Sequence, residues 1–149
     1  HQLYEQARKS LDTLRAIHVD SDYVTKQIEL EQAALQSRVG QAWHFQRNSE
    51  LAASAFDASE KILRRLAESE FDLPKSSRYL AILLSRKANM LSASANPGDA
   101  LRPIEESLAL FKSDAVAESA RDDVAYLRTM EAYGRLLGQL GRHQAASNA

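Results

Sequence analysis

Small residues and alanines recur along this chain at nearly constant intervals, and that spacing restricts the fold more than any other feature. Gly40, Ala88 and Gly134 each stand three residues before a large apolar side chain, Trp43, Leu91 and Leu137. Twelve residues after each small residue comes an alanine: Ala52, Ala100 and Ala146. Phe56 and Ile104 follow the first two alanines by four, and Ala7 with Leu11 supplies the same pair near the start. Successive alanines are therefore 45, 48 and 46 residues apart. A fixed period of this length belongs to a chain that stacks copies of one supersecondary unit. Small residues let two helix backbones approach, and the large residues beside them fill the space above and below the contact. One such hairpin cannot bury its apolar face alone, so hairpins must pack in a row.

Between these anchors, apolar residues return at helical spacing and no stretch alternates as a half-buried strand would. Only 5 Gly and 3 Pro punctuate the 149 residues, so the helices should be long. The spacing predicts a helix over 2–17, interrupted by HVDSD at 18–22, whose Asp and Ser side chains suit the cap of a second helix over 23–45. A phase change near Asn48 opens a third, ending near Ser69, and the EFDLP turn leads to a fourth over 76–94. Asn96, Pro97 and Asp99 mark the start of a fifth helix, which ends near Lys112. A sixth is expected over 116–140, stopped by Gly141, with the last residues beginning a seventh. The expectation is one all-α domain over 1–149, with six to seven helices.

These residues resemble the tetratricopeptide repeat, whose first helix carries L-G-x₂-Y and whose second carries A-x₃-F. The matching segments are Val39 to Trp43 with Ala52 to Phe56, and Tyr133 to Leu137 with Gly141 to Ala146. The period exceeds the usual ~34 residues and the closing Pro of each repeat is missing, which reads as lengthened helices. The resemblance implies a right-handed superhelix of antiparallel hairpins that binds a peptide or helix of a partner protein on its concave face. Long repeats of this kind are similar to those attached to bacterial serine/threonine kinases and related multidomain regulators. By that resemblance the chain is an accessory or sensor region of a larger signalling or scaffold protein. It carries no kinase Gly-rich loop, HRD or DFG.

The residues themselves give little sign of catalysis. None of His1, His18, His44 and His143 falls in a ligand motif, and no nucleophile elbow, phosphate loop or EF-hand pattern is present. The expectation is no enzyme activity in the module, no cofactor and no metal. With 19 basic and 20 acidic residues there is no electrostatic pull toward nucleic acid, and no apolar run is long enough to enter a membrane. The absence of Cys suits either cytoplasm or periplasm, with cytoplasm the default. Carrying the family's register over places Ser37, Gln41, His44 and Phe45 of one hairpin on the inner face. Ser85, Asn89 and Ser92 follow from the next, then Arg128, Glu131, Arg135 and Gln139. This set holds too few basic groups for the carboxylate clamp known in the family. Phe71 and Tyr126 are read as hairpin packing, and Arg64-Arg65, Glu105-Glu106 and Asp122-Asp123 as solvated faces. The alternative function is self-assembly, in which an exposed apolar edge on the last two helices packs against a second copy.

Overall fold

The computed structural model describes residues 2–113, 115–116 and 124–148. These form five α-helices, α1 (Gln2–Phe45), α2 (Ser49–Glu68), α3 (Leu73–Ser92), α4 (Leu101–Lys112) and α5 (Val124–Asn148), with a 3-10 turn, Pro97–Ala100, leading into α4. No strand occurs among the described residues. The architecture is all-α as expected, with fewer helices than the six to seven read from the sequence.

Two expected boundaries are absent. HVDSD does not interrupt α1, because the segment holds neither Gly nor Pro and two of its polar groups find partners one turn on. Thr25 Oγ1 donates to the Ser21 carbonyl at 2.9 Å, and Lys26 pairs with Asp22 one turn away at 3.4 Å. Gly141 does not end α5, and no glycine among the described residues has positive φ. A glycine inside a helix costs about 1 kcal/mol relative to alanine, which a long helix tolerates. The expected seventh helix is the end of α5, so Gly134 and Ala146 lie on one continuous element and form no third hairpin. The expected sixth-helix start falls partly at 117–123, outside the described residues.

Helices α1 and α2 stop at non-glycine residues in the left-handed region. Arg47 (φ 61) closes α1, with the Asn48 N–H donating to the Trp43 carbonyl at 2.9 Å. Glu70 (φ 55) closes α2 in the same way, with the Phe71 N–H donating to Leu66 at 3.0 Å. These six-to-one bonds satisfy carbonyls that the helix end would leave orphaned. Asn48 then caps α2 by accepting from the Leu51 N–H at 3.2 Å. Asn96, expected as a side-chain cap, contributes its backbone carbonyl to Asp99 instead.

The first two anchor sets make the contacts their spacing implies. Gly40 lies against the fully buried Phe56 ring, so closely that a Cβ there would sit 2.5 Å from Cδ1 and 2.6 Å from Cε1. In the next pair, Ala88 packs with Ala100 and Ile104 in one buried cluster. The correspondence extends to polar atoms. Ser59 Oγ donates to the Ala33 carbonyl at 2.7 Å, and Ser107 Oγ donates to the Ala81 carbonyl at 2.6 Å. Both the donors and the acceptors of these two bonds are 48 residues apart.

Helices α1 and α2 run antiparallel, as do α3 and α4, and α5 lies against α3 and α4. Backbone packing joins α1 to α2 and α3, and α3 to α4 and α5, so each helix meets near neighbours in the row. Between α2 and α4 the Arg64–Glu106 ion pair spans the gap. The cores follow this order. Leu30, Phe56, Leu63, Leu80 and Leu84 fill the space among α1, α2 and α3, while Ala88, Ile104, Ala132 and Leu136 fill that among α3, α4 and α5.

Candidate functional site

Side-chain links put α1, α3 and α5 side by side in the same direction. Arg86 reaches back to Ser37, Thr129 to Ser85, and Gln139 to the Ser92 carbonyl. The sequence-predicted positions lie on these three helices and divide between two clefts, buried contacts between helices and exposed surface. Asn89, Ser92, Arg135 and Gln139 line a cleft of about 600 Å³ between α3 and α5. His44 and Phe45 line another of about 520 Å³ with Met90 and Ser94. Arg128 and Glu131 are exposed on α5, and Gln41 is half-buried. Ser85 is buried, its hydroxyl 2.9 Å from Thr129 Oγ1, and Ser37 is buried with its hydroxyl accepting from Arg86 Nη1 at 2.8 Å. Arg135 pairs along its own helix with Glu131 at 3.2 Å.

A third cleft, of about 190 Å³, lies between α1 and α3 with Leu63 of α2 on its floor. Ser37, Arg38, Arg78, Tyr79 and Arg86 line it. Neither Arg38 nor Arg86 pairs with a carboxylate among the described residues. Burial lowers the Arg86 guanidinium from its ordinary value, and the neighbouring Arg38 charge lowers it further. The cleft thus sets Arg38 beside the half-buried Arg86, with Arg78 also on its wall, at an electrostatic cost that an anion would offset.

A larger cleft than these three, about 1000 Å³, lies elsewhere; of its charged residues Glu60, Arg64, Lys87 and Glu106 are already paired, and Arg102 and Glu105 also line it. Arg64 holds Glu106 through two bonds of 2.7 and 3.0 Å and Glu60 through one of 3.2 Å. Lys87 sits 3.0 Å from Glu60 and 3.5 Å from Asp57. Burial opposes the Glu60 charge, but Lys87 and Arg64 together outweigh it and hold the carboxyl below its usual range. The Arg64 guanidinium is held above its ordinary value, chiefly by the bond to Glu106. Charges so engaged brace α2, α3 and α4 and leave little for a ligand. Size alone therefore does not select the site.

The anion-suited residues Arg38 and Arg86 are absent from the inner-face set read from the sequence. A signal for them was present: Ser37-Arg38 and Ser85-Arg86 are the same dipeptide, 48 residues apart. Phe71 packs under Tyr23 and near the Lys26 ammonium, and Tyr126 packs against Phe111 at 5.5 Å. His44 is half-buried beside the exposed Phe45 ring, 5.9 Å away. The side chains of His1, His18 and His143 and the Asp122-Asp123 pair lie outside the described residues. Among the described residues no group of His, Asp or Glu is placed to hold a metal ion. None of the described helices is long and apolar enough to cross a membrane. No protein-family model matches the chain, and comparisons with curated proteins and with solved structures find no match.

Proposed function

We propose that this chain is a protein-interaction module of the tetratricopeptide type, and that it grips an acidic group of a partner peptide between Arg38 and Arg86. The carrying observation is the α1–α3 cleft, which gathers three arginines, of which Arg38 and Arg86 have no carboxylate partner among the described residues. A carboxylate placed there would accept charge-assisted bonds from both guanidinium groups, each worth about 1.5–3 kcal/mol. Tyr79 and Ile82 offer apolar walls for the adjoining side chain. The α3–α5 cleft with Asn89 and Gln139, and the His44–Phe45 cleft, extend the same face on either side. They give an extended peptide room beyond its acidic anchor. In this reading the repeated hairpins form a right-handed superhelix with that face inward, and the module serves as an accessory region of a signalling or scaffold protein.

Fluorescence anisotropy with short labelled peptides tests this. Peptides ending in a free carboxylate or carrying Asp or Glu should bind with dissociation constants on the order of 10–100 μM, and amidated neutral versions at least tenfold more weakly. Arg86→Gln should remove that preference. Equal binding of acidic and neutral peptides, or an unchanged preference in Arg86→Gln, would refute the assignment.

A further inference from the structure

The first half of α1 stands clear of the other helices. Every described side chain from Gln2 to Ile17 is exposed, and Tyr23, edge-on to Phe71 at 5.5 Å, marks where the helix meets the body. A helix projecting into water would ordinarily be polar all round. This one carries Leu3, Leu14, Ile17, Val24 and Ile28, exposed by 82%, 61%, 58%, 53% and 53%. With Ala7, Ser10 and Ser21 they fall at steps of alternately four and three residues, the seam of a two-helix coiled coil. Tyr4 and Leu11 flank the seam and are also exposed. At about 100° per residue, the seam lies on the side of α1 opposite Leu30, Ala33 and Ser37, which pack into the body. Covering it displaces no contact of the fold.

We propose that this arm pairs with the same arm of a second copy of the chain, as an antiparallel coiled coil centred on Leu14 of one copy against Ile17 of the other. In that register Leu3 meets Ile28, Ala7 meets Val24, and the small polar Ser10 meets Ser21. Charge selects the direction. The outer part of the arm carries Arg8, Lys9 and Arg15 against Glu5 and Asp12, while residues 20–29 carry Asp20, Asp22 and Glu29 against Lys26. Antiparallel pairing lays the positive segment of one copy along the negative segment of the other and brings Lys9 level with Asp22. Parallel pairing sets like against like. The chain's net charge of −1 adds no long-range repulsion between copies.

The area suffices for a dimer of moderate affinity. Seven large apolar side chains per arm, each losing about 80 Å² of accessible surface, bury roughly 1,100 Å² over the pair. That lies near the lower end of specific interfaces. The inference is independent of the arginine cleft, so either can fail alone.

Sedimentation equilibrium on the full chain should show a monomer–dimer equilibrium with a dissociation constant on the order of 1–50 μM. Leu14→Glu with Ile17→Glu should weaken it at least 100-fold, with the far-UV circular dichroism spectrum retained. The chain has no cysteine, so engineered thiols report the register directly. A mixture of Ser10→Cys and Ser21→Cys chains should crosslink as a heterodimer, and neither variant should crosslink by itself. A monomer at ~500 μM would overturn the proposal. So would crosslinking of either variant alone, or a dimer that survives the Leu14 and Ile17 substitutions and dissociates with Leu127→Glu on α5.

Discussion

Gly40 isolates the packing that the repeat depends on. In most helix interiors Gly→Ala stabilises by about 1 kcal/mol, because alanine loses less backbone entropy on folding. At Gly40 the added methyl would sit 2.5 Å from Phe56 Cδ1 and 2.6 Å from Cε1, inside any van der Waals contact. The Phe56 ring is fully buried and cannot swing into solvent. Either the ring leaves its rotamer or α1 and α2 separate, and overpacking of this kind costs about 1–3 kcal/mol. With two ring atoms in conflict the upper part of that range applies, so Gly40→Ala should lose about 1–2 kcal/mol net. The melting temperature should fall by about 3–6 °C in a chain of this size. Gly134 supplies the control, since a Cβ there meets nothing within 4 Å. Gly134→Ala should therefore gain about 0.5–1 kcal/mol. Urea unfolding followed by circular dichroism measures both. In a Phe56→Leu background the Gly40→Ala penalty should shrink or change sign, a direct reading of the coupling. A Gly40→Ala variant stabilised as much as Gly134→Ala would refute the close-packing argument.

Ser59→Ala and Ser107→Ala should each cost about 1 kcal/mol by urea unfolding, since each removes a buried bond to the facing helix; a cost at only one of them would break the equivalence of the two hairpins. The Glu60 carboxyl is held below its ordinary value of 4.5, so the stability it confers is fully present above that pH and is lost as pH falls through the folded-state value. Lys87→Met removes the nearest cation, so the variant should lose less stability between about pH 5 and pH 3 than the parent chain does; equal losses would show that the pairing contributes nothing. Arg86→Met removes a half-buried cation from beside Arg38 but also its bond to the buried Ser37 hydroxyl, so the two effects should largely offset and stability change by less than about 1 kcal/mol; a loss above ~2 kcal/mol would mean that the charge supports the fold rather than a ligand.

How much of this was legible in the sequence depended on which physical signal each feature left. Gly40 with Phe56, and Ala88 with Ala100 and Ile104, were visible because close backbone approach demands small residues at fixed spacing. HVDSD was misread because Asp and Ser at a cap and Asp and Ser in an exposed helix leave the same letters. What decided it was the helix continuing through Ser21 and Asp22 with local partners at Thr25 and Lys26. Gly141 was misread for the converse reason, since glycine permits a helix end without requiring one. The real stops at Arg47 and Glu70 gave no compositional warning, because non-glycine residues take the left-handed conformation there. Of the site, the helix register put the expected residues on α1, α3 and α5, where they divide between two clefts, buried contacts and exposed surface. The pairing of Arg38 with Arg86 was missed because it depends on how far α1 and α3 are offset, which no single helix encodes.

The most direct measurement of the central claim is the response of the arginine side chains themselves. In ¹H–¹⁵N spectra of the labelled chain, the Nε–Hε resonances of Arg38 and Arg86 can be followed while an acidic peptide is titrated. Binding in the α1–α3 cleft should move both resonances with one shared saturation curve, leave Arg64 unmoved in its pairing with Glu106 and Glu60, and vanish when the peptide's carboxylates are amidated. Saturable peptide binding with Arg38 and Arg86 unshifted would contradict the account.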